Sequence, residues 1–164
     1  MSGNPLFEEL LAVHGMIRRD LARVSLLAED AAGGAAPAEL QARVAELKSS
    51  TLLWQLRYGC LRHCRFVHSH HSLEDRAVFP AIQRVDPELE SVLDRLQREH
   101  REVSGLLQRV ETATAELGDE TDSTVGRARL IAALDALGAL LFDHLEFEER
   151  SLEPALARMR SWAG

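Results

Sequence analysis

The chain has 164 residues and a formal charge of -7, with 46% hydrophobic, 27% charged and only 5% aromatic residues. That size suits a single domain, 1–164, and the abundance of Leu, Ala, Glu and Arg favours helices over strands. Basic residues interleaved among acids leave no stripe for nucleic acid or an anionic membrane, and no apolar run reaches the roughly 18–20 residues that span a bilayer.

Taken in order, Asn4-Pro5 with Glu8 and Glu9 is a capped helix start, with proline in the first turn and acids at the positive end of the dipole. The first helix is expected over about 5–29, its stripe Phe7, Leu10, Leu11, His14, Ile17, Leu21 and Val24 carrying one histidine. The small-residue stretch Ala31 to Pro37 breaks it. A long second helix follows over about 38–78, weakened only at Gly59, with Leu52, Leu56, Cys60, His63, Val67, His70 and Glu74 as its inner stripe and Pro80 as its stop. Asp86-Pro87 starts a third helix, 87–116, whose seam Leu89, Leu93, Leu96, His100, Val103, Leu107 and Val110 again holds one histidine. A polar turn at 118–124 leads to a fourth helix, 124–153, with Leu130, Leu134, Leu137, Leu141, His144 and Glu148 in register, then Pro154 and a short tail.

The second and fourth helices share a spelling. His70-His71-Ser72-Leu73-Glu74-Asp75-Arg76 returns as His144-Leu145-Glu146-Phe147-Glu148-Glu149-Arg150, with Pro80 and Pro154 each ten residues after the first histidine. Positions four apart share a helix face, so each copy offers an imidazole beside a carboxylate. Short connections between four amphipathic helices imply an all-α, antiparallel up-down-up-down four-helix bundle that brings the marked positions to one depth.

Taken singly, each group has an ordinary reading: a histidine in an apolar seam is a hydrogen-bonded core residue, and Glu146, Glu149 and Glu153 form a solvated acidic face. Jointly they do not, because two carboxylates in one core repel and an uncompensated one is costly. Something positive belongs between them. Four imidazoles and two carboxylates converging on one layer are a suitable shell for two metal ions.

On these residues the chain resembles the hemerythrin-like, or HHE cation-binding, family over nearly its whole length, from His14 to Pro154. The resemblance rests on His14, His70-x-x-x-Glu74, Glu99-His100 and His144-x-x-x-Glu148. It implies a di-metal site of two iron ions, oxo- or hydroxo-bridged, with manganese or zinc fitting much of the same donor set. Its expected ligands are His14, His70, Glu74, His100, His144 and Glu148. Glu74 and Glu148 would bridge the ions and act as the catalytic residues, with His14 and His70 at one ion and His100 and His144 at the other. Compared with oxygen-carrying hemerythrins, Ser104 stands where the third helix has a second histidine, and the last motif ends in Glu at a spacing of four, not Asp at five. The reduced four-His, two-Glu set looks like that of actinobacterial hemerythrin-like proteins.

A missing ligand leaves a position for an exogenous oxygen species, which suits redox turnover better than reversible carriage. The expected function is therefore a catalase- or peroxidase-like oxidoreductase acting on hydrogen peroxide, or one handling nitric oxide. The alternative is a module that senses or binds oxygen, iron or nitric oxide without turnover, with iron storage third. His63, Tyr58, Ser104 and Glu99 are candidates for supporting roles around the metals. His71, spaced to pair with Asp75, reads as a surface or interface residue. Cys60 and Cys64 read as buried thiols. Without a disulfide framework or an N-terminal leader, a soluble, cytoplasmic protein is expected.

Overall fold

The computed structural model describes residues 3–32, 50–116 and 124–161, with the side chains of 31–32, 50–57 and 124 outside that description. Among the described residues five α-helices follow in order: α1 Pro5–Ala32, α2 Ser50–Leu73, α3 Phe79–Val85, α4 Glu90–Ala115 and α5 Thr124–Leu156. A π turn, Glu74–Val78, joins α2 to α3, and a 3-10 turn, Pro87–Leu89, leads into α4. With α2, the π turn and α3 forming one broken rod, the fold is the expected all-α four-helix bundle. The part of the expected second helix over 38–49 lies outside the described residues.

The helix starts follow from the caps. Asn4 Oδ1 accepts from the Leu6 amide at 3.0 Å, and Asp86 Oδ1 accepts from the Glu88 amide at 3.3 Å with Pro87 next in the turn. Proline positions differ from expectation. Pro80 does not stop the rod: the chain widens into the π turn, the Phe79 amide bonds Glu74 O, and α3 continues to Val85. An imide at Pro80 has no N–H to donate and its ring crowds the carbonyl four residues back, and one wider turn removes both problems. Pro154 likewise sits inside α5, which runs on to Leu156, three residues past the expected end.

The core is two apolar layers. One holds Ile17, Leu21, Val24, Cys60, Cys64, Val67, Val103, Leu107, Val110, Leu134, Leu137, Leu141 and Leu145. The other holds Leu6, Leu10, Val78, Phe79, Ile82, Leu93, Leu96, Leu152, Leu156 and Met159. Along α1 and α4 the numbering rises from the second layer to the first; along α2–α3 and α5 it rises from the first to the second. This alternation is the antiparallel topology. Helix α1 packs on α2 and α5, and α4 packs on α2 and α5, which closes a four-cornered ring. A fully buried Leu or Ile contributes roughly 1.5–3 kcal/mol, so the layers hold four helices in register around whatever lies between them.

Candidate metal centre

What lies between the layers is polar. His14 sits between Leu10 and Ile17 on α1, His100 between Leu96 and Val103 on α4, and His144 and Glu148 flank Leu145 on α5; all are buried. His70, His71 and Glu74 occupy the same depth at the end of α2 and the first residue of the π turn.

Each carboxylate faces histidines from different helices, Glu148 two and Glu74 three, with His14 Nε2 3.8 Å from Glu74 Oε1. Glu74 places Oε1 2.8 Å from His70 Nε2 and Oε2 3.2 Å from His100 Nε2. Glu148 places Oε1 3.7 Å from His14 Nε2 and Oε2 3.3 Å from His144 Nε2. These pairs are close without being aligned as hydrogen bonds. All four carboxylate oxygens, with Nε2 of His71, His100 and His144, are buried and have no hydrogen-bond partner among the described residues. Such a concentration of orphaned polar atoms is costly unless something else satisfies them.

The donor set suits cations. Ligand atoms of His14, His70, Glu74 and Glu148 all lie within 4.8 Å of one another, and so do those of His71, Glu74, His100 and His144, with Glu74 common to both groups. His14 Nε2 and His70 Nε2 are 3.2 Å apart, close to the roughly 3 Å between neighbouring donors each about 2.1 Å from one ion.

The opposite ring nitrogens are held by carboxylates. His14 Nδ1 pairs with Glu149 Oε1 at 2.9 Å, His100 Nδ1 with Asp75 Oδ1 at 2.7 Å, and His144 Nδ1 with Glu99 Oε2 at 3.0 Å. Arg18 Nη1 donates to Glu149 at 2.7 Å and Arg95 Nε to Glu99 at 3.0 Å. With the proton kept on Nδ1, each Nε2 lone pair points inward, the usual arrangement behind a metal-binding histidine.

Electrostatics without a cation show the strain. Burial and the charge of Glu74 push the Glu148 carboxyl well above its usual range. Burial also opposes ionisation of Glu74, but the imidazoles of His100, His14 and His70 outweigh it and hold that carboxyl well below the usual range. The two carboxyls are thus driven apart, Glu148 toward its neutral form and Glu74 toward its charged form. Burial takes His144 down to about 4, only partly offset by Glu99. Burial also acts to lower His14, but Glu149 and Glu74 prevail and raise it.

Some positions depart from expectation. His71 is a buried member of the second group, not a surface residue: only 5% exposed, it stacks on His100 with centroids 3.9 Å apart. Asp75, its expected partner, bonds His100 instead. The signal for His71 was present in the sequence, since Cys60, Cys64, Val67, His71, Glu74 and Val78 step by four, three, four, three and four residues and are all buried. Glu149 is half-buried against His14 rather than part of a solvated face with the exposed Glu146 and Glu153. The repeat itself pointed to both acids: the residue after Glu74 and the residue after Glu148 each reach a histidine on a neighbouring helix.

Glu99 lies beside the centre. Ser104 lines a cavity of about 170 Å³ with His68, His71, Asp75 and His100. His63 is buried about two turns before His70, with neither ring nitrogen bonded among the described residues. Tyr58 is 55% exposed and, twelve residues before His70 on one helix, stands roughly 18 Å away along the axis. Cys60 and Cys64 are buried free thiols, pushed up to about 11 and about 12 by burial.

The sequence profile described as hemerythrin HHE cation binding domain matches residues 6–156, from before His14 to past Glu148. No curated protein and no solved structure gives a significant match. The bundle, the cation-ready layer across it and this match together place the chain in the hemerythrin HHE cation-binding family.

Proposed function

We propose that the chain holds two iron ions and decomposes hydrogen peroxide. His14 and His70 would hold one ion, His100 and His144 the other, and Glu74 and Glu148 would bridge them. The observation that carries this reading is the pair of carboxylates, each turning one oxygen toward each histidine group with no hydrogen-bond partner. When bound, two irons would pass two electrons, one each, to one peroxide and take two back from a second, so that 2 H₂O₂ → 2 H₂O + O₂ balances without an outside reductant.

The chain's own groups prepare such a centre. Glu149, Asp75 and Glu99 keep the Nδ1 protons of His14, His100 and His144, which fixes their tautomers and ring orientations. The apolar layers on both sides shield the site from bulk water, which suits small ligands such as peroxide, oxygen or nitric oxide. Imidazole and carboxylate donors also suit manganese or zinc, so the ion is part of the proposal.

The test is metal analysis with optical spectra before and after peroxide, on the unaltered protein and on Glu74→Ala. About two irons per chain and rapid peroxide loss are expected, both abolished in the variant. Oxygen or nitric oxide binding without peroxide turnover would make the protein a sensing or binding module; failure to load iron would end the iron reading.

A further inference from the structure

Taken from the four histidines expected at the centre, the two ions would be equivalent, each with two imidazoles and a share of two carboxylates. The layer contains a fifth ring. His71 lies at the same depth, and its ligand atom falls within 4.8 Å of those of Glu74, His100 and His144. Its Nε2 is buried and has no hydrogen-bond partner among the described residues. Its ring is fixed from two sides: stacked on His100, with centroids 3.9 Å apart and planes 11° from parallel, and edge-on to His144 at 5.0 Å. An apolar residue would fill that slot without leaving a buried nitrogen orphaned. An imidazole there, aimed among three other donors, is accounted for if it binds what they bind.

We propose that His71 is a ligand of the ion held by His100 and His144. This rests on the di-metal reading above and deepens it, because the two ions then differ. One has three imidazoles, from α2, α4 and α5; the other has two, His14 and His70. The exchangeable position passes to the His14–His70 ion. The space left by the small side chain of Ser104 then has a different meaning. The cavity there reaches His71 and His100, so His71 stands between that cavity and the ion, and the opening expected at Ser104 is closed from the neighbouring helix.

Cobalt(II), which reports coordination through its visible bands, is the probe. Metal-free protein, His71→Ala, His71→Gln and the double variant His71→Ala/Ser104→His are titrated with cobalt, reading stoichiometry, affinity of the weaker ion and band intensity. The unaltered protein is expected to take two ions. Both single variants should weaken one ion by about 100-fold or more, beyond the roughly 10–100-fold typical of losing an outer partner, and strengthen the visible bands as coordination number falls. Histidine at 104, offered into the same cavity, should recover affinity and spectrum. A reading needing no variant is the proton NMR spectrum of the cobalt form, where shifted imidazole signals from five rings are expected. Four rings, or single variants with two tight ions and an unchanged spectrum, would overturn the role of His71 while leaving the centre intact. Failure of the unaltered protein to bind two ions would instead remove the di-metal reading.

Discussion

At the scale of single residues, the polar layer divides its labour between groups that face inward and groups that hold them. Asp75 is of the second kind: it touches His100 Nδ1, not the centre itself. Replacing it by Ala is expected to lower cation affinity about 10–100-fold, with Asp75→Asn recovering part of the loss because an amide oxygen still accepts from Nδ1–H; metal titration of both variants checks this. His63 offers a test away from the metals. Burial takes it from 6.5 down to about 4, against a small opposing pull from Asp20. A base whose pKa falls on folding is neutral in both states above pH 6.5; as pH drops toward 4 the unfolded chain takes up the proton first, and stability is lost. That window corresponds to about 3 kcal/mol. The variant His63→Leu should lose less stability than the parent between pH 6.5 and 4, measured by urea unfolding at each pH; equal losses would show that His63 does not titrate this way.

At the scale of elements, the four rods and their caps were legible because hydrophobic spacing, Asn4 and Asp86 act locally. Two features were not. A proline reads as a stop because it costs an α-helix a hydrogen bond and crowds the preceding turn, yet Pro80 follows a π turn that carries the rod on and Pro154 lies within the last turn of α5. His71 was misplaced because a stripe drawn through His70 lies about 100° around the helix from one drawn through His71; both stripes keep helical spacing, and the packing of His71 on His100 of α4 decides that its ring faces inward too. The π turn ends against Phe79, which is buried and stacks on His100 with centroids 5.4 Å apart. Phe79→Ala is therefore expected to cost about 3–5 kcal/mol of stability, and to loosen His100 so that cation affinity falls as well. Urea unfolding with metal titration separates the two effects.

At the scale of the whole molecule, the six expected site residues converge because an antiparallel bundle repeats its depth on every rod. The repeat in the sequence conveyed that, and it marked Asp75 and Glu149 as a matched pair; which histidine each acid holds depends on which rods are neighbours, which a motif alone does not contain. Those acids also act as latches between rods. Asp75 ties the α2 rod to α4, Glu99 ties α4 to α5, and Glu149 ties α5 to α1. The fourth edge of the ring, α1 against α2, has the contact of His14 Nε2 with His70 Nε2 at 3.2 Å and with Glu74 Oε1 at 3.8 Å, but no carboxylate paired to an Nδ1 across it among the described residues. A buried centre is loaded only when some pair of rods parts, and three of the four seams are tied shut. The α1–α2 seam, without such a latch among the described residues, is therefore expected to part most readily. Amide hydrogen exchange in the metal-free protein should be fastest, at this depth, along α1 and α2, and should slow there most when a cation bridges His14 to His70 and closes the ring.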